Sequence, residues 1–466
     1  MISIAVAGAA GFVGRPLVDR LARRARVIAL SRSHRPVAGP VEWRQTDLLL
    51  MRDAQAALAG ADLAVYLVHS MLPADRLVQA DFEDLDLLAA DNFARACAAQ
   101  GVRQIVYLGG LLPDGVPPAR LSRHLRSRAE VERALAAYGT PVTVLRAGLV
   151  IGPGGSSLEI LQRIARRLPF MVCPRWTDTP TQPIALADVV ALLDWTVGRD
   201  STAGQAYDVG GPDVCTYRQL LLAAAAQLGR RAVAVSVPVL TPRLSRLWVS
   251  LVTGAPRALA EPLIESLSHP MVARDRRLQE AAGIPGCGVA AALRDALGAP
   301  TSEAPPRAFR AAPPDRRSRV RSLQRLPIVG RRDTRDVAAA YVRWLDARFR
   351  PLVRAAADPG GGWRAHLGGG GGPVLLELVP DPAMWTEDRA VFTIRGGLLA
   401  TPQAGGSFEF RRVLDGEAVL CSLDGFAPRL PWPIYLLTQA PLHVRVMRAF
   451  GRAERRPSGA RAPTGR

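Results

Sequence analysis

The chain has 466 residues, 48% hydrophobic and 22% charged, a balance typical of globular proteins with material for two or three domains. Its formal net charge is +19, and every one of the 60 basic Lys/Arg positions is an arginine, which excludes a lysine Schiff base and a tyrosine–lysine proton relay. The five cysteines are scattered without metal-ligand spacing, so no metal site and no disulfide framework is predicted. With neither a signal-peptide pattern nor an apolar run that could span a bilayer, we expect a soluble, cytoplasmic protein.

The first 150 residues alternate strand-like and helix-like segments. The apolar run Ile2–Ala7 predicts a strand buried on both faces, and the helical spacing of Val13, Leu17 and Leu21 predicts a helix over Phe12–Arg24. Further strands and helices are predicted at Arg26–Leu30, Leu63–Val68, Phe82–Gln100, Gln104–Leu108, Ser122–Tyr138 and Val142–Leu145. Such alternation indicates an α/β fold with a doubly wound parallel sheet.

The remainder of the chain divides by composition. Residues 150–298 predict a small substrate lobe over the strand ends, and residues 299–335, rich in proline, alanine and arginine, predict a linker. Residues 336–454 predict a separate α+β domain, and 455–466 a disordered tail. The predicted elements are helices at Asp188–Val197, Tyr217–Leu228 and Asp336–Leu352, a glycine-rich loop at Gly360–Gly372, strands at Val374–Val379, Ala390–Ile394, Ser407–Leu414 and Ala418–Leu423, and a helix from Thr438.

The strongest motif is a glycine loop, Gly8-Ala9-Ala10-Gly11-Phe12-Val13-Gly14, which follows a predicted strand and opens a predicted helix. A tight turn needs a residue without a β-carbon, and a pyrophosphate needs close approach to the backbone. The free N–H groups and partial positive charge of the helix N-terminus then attract phosphate. The loop therefore predicts a dinucleotide site, and a glycine turn without a ligand is the alternative.

The GxxGxxG spacing resembles the extended and atypical short-chain dehydrogenase/reductase family, most closely its NmrA-like branch. The resemblance covers about the first 300 residues and includes Tyr66–Met71, Asp91–Phe93, Ile105–Leu111, Val144–Gly148, Gly152–Gly154, Gln182–Ile184, Asp188–Val189 and Tyr207–Gly211. It implies a Rossmann domain that binds NAD(P), with the cofactor held by Gly8, Gly11, Phe12, Val13, Gly14, Ser31, Arg32, Asp47, Leu48, Val68, His69 and Arg128. The C-terminal part resembles a START-type helix-grip domain.

The end of the second strand indicates which nucleotide is bound. NAD-preferring Rossmann domains carry an acidic residue there, whereas Leu30–Arg35 contains no acid and two arginines. Because arginine pairs with a 2′-phosphate, Arg32 favours NADP(H), while a solvated arginine and NAD(H) remain the alternative. Asp47 matches the family position beside adenine and is also typical of a turn.

The catalytic positions of the resembled family are altered here. Members commonly use a serine and Tyr-x-x-x-Lys, whereas this chain has Gly109-Gly110 at the serine strand and His124 and Arg128 at the tyrosine and lysine positions. A histidine transfers protons near neutral pH, and an arginine stays charged. Alternatively, both belong to the surface of a basic helix. The substrate candidates, which are also typical of packing or loop residues, are Arg146, Phe170, Arg175, Trp176 and Gln182.

Two segments of the sequence permit other classes of function. The basic stretch Arg307–Arg335 has no recognised nucleic-acid motif, so a solvated linker is favoured. The cluster Pro431–Tyr435, followed by an arginine-bearing helix, permits a membrane-surface role, but core packing is favoured. The expected function is an NADP(H)-dependent reductase that transfers hydride to a small carbonyl or quinone-like acceptor without the Ser/Tyr/Lys triad. The alternative is a non-catalytic redox sensor.

Overall fold

A computed structural model describes residues 1–35, 39–69, 78–237, 265–298, 319–328, 330, 332–368, 371–402 and 405–455. The chain forms two compact units. The first contains Met1–Leu72 and Ala89–Ala308, and the second contains Pro73–Leu88 and Phe309–Arg466. No helix in the described ranges is both long and apolar enough to cross a membrane.

The first unit is built on a seven-stranded sheet. Its strands are β1 (Ser3–Ala7), β2 (Arg26–Ser31), β3 (Val41–Gln45), β4 (Leu63–Tyr66), β5 (Ile105–Gly110), β6 (Val142–Ala147) and β7 (Ala206–Val209). All neighbours pair in parallel, in the order β7-β6-β5-β4-β1-β2-β3. The chain runs outward from β1 to β3 and then returns to β4 on the other side of β1. The loop after β1 therefore lies at the switch point where Rossmann folds bind nucleotides.

Apolar stripes hold the helices of this unit on the sheet. In α1 (Gly14–Leu21), Leu17, Val18 and Leu21 are buried at helical spacing. The other helices are α2 (Met51–Ala57), α3 (Phe82–Ala99), α4 (Arg123–Ala136), α5 (Ser156–Arg167), α6 (Leu186–Thr196), α7 (Tyr217–Gln227), α8 (Arg277–Ala282) and α9 (Val289–Gly298). The boundary between the units falls within α3, after Leu88. The predicted Rossmann-type α/β fold is confirmed.

The segment predicted as a substrate lobe contributes to the main core of the first unit and also forms a smaller core of its own. Helix α6 packs with α1 in the main core, and β7 completes the large sheet. Helices α5, α7 and α9 share a smaller core of their own. Three two-stranded pairs complete the described lobe: Val150–Ile151 with Ile184–Ala185, Phe170–Pro174 with Val233–Val237, and Pro180–Thr181 with Cys215–Thr216.

The second unit contains an eight-stranded sheet. Its strands, in chain order, are Val78–Gln79, β8 (Val320–Leu326), β9 (Val353–Ala357), β10 (Trp363–Leu367), β11 (Val374–Pro380), β12 (Arg389–Gly396), β13 (Ser407–Val413) and β14 (Ala418–Phe426). The order is β9-β10-β11-β12-β13-β14-β8, with Val78–Gln79 added in parallel beyond β8, and every other pair is antiparallel. The helices are α10 (Thr334–Phe349), α11 (Trp432–Leu437) and α12 (Gln439–Glu454).

An aromatic cluster centred on Tyr341 of α10 forms the core of this unit. Its ring lies 5.9 Å from Trp363, 5.7 Å from Phe410 and 5.1 Å from Phe450, measured between ring centroids. These residues come from β10, β13 and α12, so the cluster joins both long helices to the sheet.

The structure differs from the expected organisation at three points. Part of the predicted linker, Val320–Leu326, is a mostly buried strand, while residues 299–318 lie outside the described residues. The predicted glycine-rich loop contains the strand β10, in which Trp363 and Ala365 are buried and Arg364 between them is exposed. The second unit takes in residues 73–88 as well as the C-terminal part. The tail from 456 to 466 lies outside the described residues.

Candidate functional site

The glycine loop is closed by its own backbone and leaves no room for a side chain at Gly8, Gly11 or Gly14. Gly8 has a φ of +84°, and the Gly11 N–H donates to the Gly8 carbonyl at 2.9 Å. A Cβ on Gly14 would lie 2.1 Å from the Gly8 oxygen, and a Cβ on Gly8 would lie 3.0 Å from the Leu67 backbone. The three glycines therefore allow β1, α1 and the end of β4 to approach one another closely.

The first turn of α1 faces this loop. Val13 precedes the helix as its N-cap and makes no side-chain capping bond. The Arg15 N–H donates to the Gly11 carbonyl at 3.1 Å and Pro16 has no N–H, so the backbone donors that can meet a ligand belong to the turn before Arg15. Phe12 packs on the start of α5, because a Cβ on Gly155 would lie 2.9 Å from the Phe12 ring. The turn can therefore receive a diphosphate at the helix N-terminus, and Phe12 connects it to the lobe.

A cavity of about 420 Å³ lies at the ends of β2 and β3. Its lining residues are Arg32, Arg44, Gln45, Thr46, Asp47, Asp53, Ala56 and Ala57. Arg44 is held by Glu42, at 2.7 Å, and by two backbone carbonyls. The exposed Arg32 guanidinium makes no hydrogen bond or ion pair among the described residues. Arg32 is thus the cation in this cavity that an added anion can engage.

The neighbouring loops are fixed by local hydrogen bonds. Ser31, which ends β2, accepts a bond from the Ser33 N–H at 3.3 Å. The Asp47 carboxylate accepts from the Leu49 N–H at 3.0 Å, which makes it a turn residue. Buried Asn92 of α3 donates to the Leu48 carbonyl at 2.9 Å. Sequence reasoning missed this role of Asn92, although the residue belongs to the Asp91–Phe93 motif.

The structure brings together His69, His124 and Arg128 beside the ends of β4 and β5. The Arg128 guanidinium donates to His69 Nδ1 at 2.7 Å, and the two imidazole rings lie 5.0 Å apart. Because a guanidinium only donates, His69 Nδ1 is an acceptor, and the ring proton resides on Nε2. Val68 is half-buried just after β4. The pairing of His69 with Arg128 was not foreseen from the sequence.

Gly110, at the end of β5, lies directly beside this cluster. A Cβ on Gly110 would lie 3.4 Å from Arg128 Cγ, an ordinary packing distance, so the Arg128 side chain passes over this glycine. Arg128 is buried, and its carbonyl accepts from the Tyr107 hydroxyl at 3.4 Å. The alternative of a surface basic helix therefore does not describe Arg128.

The five substrate candidates separate into two groups. Arg146 forms two hydrogen bonds with Glu132, at 2.5 and 3.1 Å, and the buried Gln182 donates to the Gly211 carbonyl at 2.7 Å and accepts from the Ala273 N–H at 2.8 Å. These contacts give both side chains an internal structural role. Phe170 and Arg175 are exposed, and Trp176 is half-buried. Among the described residues, no group of three or more His, Cys, Asp or Glu is arranged to hold a metal.

Comparison with known proteins supports the nucleotide site. Residues 8–165 match a family described as NAD(P)H-binding. The chain is 30% identical over 142 residues to the auxiliary protein GraX of Staphylococcus aureus, covering 30% of this chain and 42% of that protein. It is 25% identical over 230 residues to the mitochondrial NADH dehydrogenase (ubiquinone) 1 alpha subcomplex subunit 9 of Arabidopsis thaliana, covering 46% and 55%. The chain thus spans about half the length of these curated relatives.

Solved structures share the fold of the first unit. An NADPH-dependent quinone oxidoreductase from Escherichia coli, complexed with NADPH, superposes with a TM-score of 0.50 at 20% identity, covering 63% of this chain and 98% of that chain. A triphenylmethane reductase from Citrobacter sp. gives 0.51 at 16% identity, covering 64% and 100%. The resemblance of the C-terminal part to a START-type domain stays a prediction. Strand order and glycine loop make the first unit a Rossmann-type domain, and residues 8–165 within it match the family described as NAD(P)H-binding.

Proposed function

We propose that the chain is an NADP(H)-dependent reductase that transfers hydride to a small carbonyl or quinone-like acceptor. The observation that carries this proposal is the cluster of His69, His124 and Arg128 beside the ends of β4 and β5. In a parallel sheet these ends lie on the same edge as the glycine loop, which is where Rossmann enzymes hold both cofactor and substrate.

The chain offers a matching group for each end of the nucleotide. Gly8, Gly11 and Gly14 leave space for the diphosphate at the N-terminus of α1. Arg32 is suited to a 2′-phosphate, because its guanidinium is exposed and no acid stands at the end of β2. The preference for NADP(H) over NAD(H) rests on this arginine.

When bound, the reduced nicotinamide supplies a hydride. Negative charge then develops on the acceptor oxygen, and the guanidinium of Arg128, which is charged at any relevant pH, stabilises it. A proton must follow, and the candidate donors are His124 and the Nε2–H of His69. Among the other substrate candidates, Trp176, Phe170 and Arg175 keep side-chain surface that an acceptor can contact.

The proposal is tested by a screen of acceptors with NADPH and purified protein. We expect NADPH oxidation with quinones and activated carbonyls, and little reduction of NADP⁺ by simple alcohols. Alcohol oxidation needs a group to accept the hydroxyl proton, and no tyrosine–lysine pair exists here.

The second candidate is a non-catalytic sensor whose partner affinity follows its nucleotide state. The observation in its favour is the loss of the serine, tyrosine and lysine positions to Gly109-Gly110, His124 and Arg128. The sensor is favoured if NADPH-saturated protein oxidises no NADPH with any acceptor and a protein partner is retained in only one nucleotide state.

A further inference from the structure

Large apolar side chains are exposed together at the junction of α11 and α12. Ile434, Leu436, Leu437 and Leu442 are 49%, 47%, 79% and 55% exposed. Four such residues within nine positions are unusual, since scattered single residues are the rule on protein surfaces. We call the exposed side chains of these four residues the α11 surface.

Buried residues of the same segment anchor the α11 surface to the core of the second unit. Between the exposed residues, Tyr435 and Ala440 are buried in the aromatic core. The Trp432 ring packs edge-on against Tyr435, with centroids 5.4 Å apart. The expectation that the Pro431–Tyr435 cluster packs in the core therefore holds for these two aromatic rings, while the aliphatic residues beside them point outward.

A neighbouring loop extends the apolar area. Leu398, which is 44% exposed, is adjacent to Leu399, whose carbonyl accepts from the Arg429 N–H and from the Gln439 side chain, both at 3.4 Å. These bonds hold the loop after β12 against both ends of α11, so Leu398 lies in the same neighbourhood as the α11 surface.

The surroundings of the α11 surface are basic. The sequence from Ala427 to Ala453 contains no aspartate or glutamate. Arg445, Arg448 and Arg452 are exposed on α12 at spacings of three and four residues, which places them along one side of the helix. None of the three has an ion-pair partner among the described residues.

We propose that this face of the second unit docks on an anionic lipid bilayer. The aliphatic side chains of the α11 surface enter the boundary between headgroups and acyl chains, and the three arginines pair with lipid phosphates. An acid-free segment whose three exposed arginines have no ion-pair partner among the described residues is complementary to such a layer, and the net charge of +19 favours the encounter. The proposal is independent of the proposed reductase activity.

The test is co-sedimentation of the full chain with two vesicle preparations, phosphatidylcholine alone and phosphatidylcholine mixed with phosphatidylglycerol. The first variant is Leu436→Gln/Leu437→Gln, and the second is Arg445→Gln/Arg448→Gln. The matched controls are Val214→Gln, at an exposed valine of the first unit, and Arg343→Gln, at an exposed arginine of α10. Circular dichroism melting verifies that each variant folds.

We expect the chain to bind the anionic vesicles only, and added salt to weaken this binding. The arginine variant should have a roughly 30-fold lower vesicle affinity, because each basic residue contributes about a five-fold gain at such a surface. The leucine variant loses binding comparably, and the controls retain it. Equal binding to both vesicle types, equal loss in the controls, or no vesicle binding overturns the proposal. Self-association abolished by the leucine variant, without vesicle binding, instead assigns the face to a second copy of this chain.

Discussion

At the scale of single residues, we expect Arg32 to decide which nucleotide is bound. We predict that Arg32→Ala weakens NADPH binding roughly 10- to 100-fold, the range for losing a charge-assisted hydrogen bond, and leaves NADH binding unchanged. The measurement is fluorescence titration with both nucleotides. Arg35→Ala is the matched control, because the Arg35 guanidinium lies over the Trp43 ring at 4.9 Å. Wild-type preference for NADH, or an undiminished NADPH preference in Arg32→Ala, contradicts the assignment.

In the proposed reductase, Arg128 is the residue that stabilises the charge developing on the acceptor. Arg128→Met should lower kcat for acceptor reduction by about 10²- to 10³-fold, the usual effect of removing a group that stabilises developing charge. Arg126→Met on the same helix is the control and should keep its activity. If His124 is the proton donor, His124→Ala lowers kcat by roughly 10²-fold or more and alters the pH profile, whereas a modest loss assigns the proton to another group. An unchanged kcat in Arg128→Met rules out its role.

The sequence alone predicts the role of some site residues but not the contacts of others. The glycines were predictable because a tight turn permits no other residue. The pairing of His69 with Arg128 joins positions 59 residues apart, and no local pattern encodes it. Arg146 and Gln182 resembled site residues because charged and amide side chains serve a ligand or a neighbour equally well, and the structure gives them neighbours.

At the scale of elements, the glycine loop offers a steric test. Gly14→Ala places a Cβ 2.1 Å from the Gly8 carbonyl oxygen and 2.8 Å from Ala9 Cα, so the loop must shift. Overpacking of this kind costs about 1–3 kcal/mol, and NADPH affinity should fall roughly 10- to 100-fold. Gly298→Ala is the control, since nothing lies within 4 Å of its added Cβ. The pair is compared by NADPH titration and thermal unfolding, and equal affinities would remove the loop from the cofactor site.

A buried ion cluster joins β12 and β13 in the second unit. Glu409 accepts from Arg389 at 2.8 Å and from Arg411 at 2.6 Å, and all three residues are buried. Burial alone would raise the pKa of Glu409, but the two arginines outweigh it and lower the pKa to about 2. The ionised carboxylate therefore stabilises the folded state fully above its unfolded pKa of 4.5. That contribution is lost as the pH falls from 4.5 towards 2.

We predict that Glu409→Gln lowers the free energy of unfolding by about 3–5 kcal/mol at pH 7, because it removes the negative charge to which two buried arginines donate. The deficit should shrink as the pH falls below 4.5. Urea unfolding at neutral and acidic pH, followed by tryptophan fluorescence, measures both effects. The surface pair of Glu377 with Arg364 supplies the control, and Glu377→Gln should cost less than about 1 kcal/mol. An equal deficit at all pH values would refute the cluster's role.

Elements with regular periodicity were predictable, whereas short or irregular ones were not. The strands and helices of the first 150 residues follow apolar runs and helical stripes, and their observed bounds differ from the expected ones by a few residues. β8 falls in residues 299–335, which are predicted as a linker because that stretch is rich in proline, alanine and arginine. Two of its arginines, Arg321 and Arg325, pair with Asp424 and Asp84. This strand could not be recognised from local sequence, because the partners of its arginines lie far away in the chain.

At the scale of the whole molecule, the second unit is assembled from two separate stretches of chain. Val78–Gln79 pairs with β8, and Arg325 donates to Asp84 at 2.7 Å. We predict that a fragment of residues 309–466 is less stable than the same residues in the full chain, by roughly 1–3 kcal/mol for the lost bonds. A peptide of residues 73–88 added to the fragment should raise its melting temperature. An unaffected fragment would show that the insertion contributes nothing.

This arrangement could not be derived from composition, because the insertion interrupts a Rossmann sequence that otherwise reads continuously. Pattern reasoning placed the domain boundary at residue 336 from the proline-rich stretch and the change of period after it. Pairing between a two-residue strand and a partner more than 240 positions away leaves no periodic signal. The order of the parallel strands was accessible, since it follows from the α/β alternation and the Rossmann motif.

The central claim is that the first unit uses NADPH to reduce an acceptor at the cluster of His69, His124 and Arg128. The most direct measurement is a single-turnover reaction, without oxygen, of protein saturated with NADPH and mixed with a quinone, followed by the near-ultraviolet absorbance of NADPH. We predict that one equivalent of NADPH is consumed per equivalent of quinone reduced, and that Arg128→Met, at an NADPH concentration that saturates the variant, reacts at least about 10²-fold more slowly. Saturated protein whose NADPH stays reduced with every quinone and activated carbonyl would contradict the account.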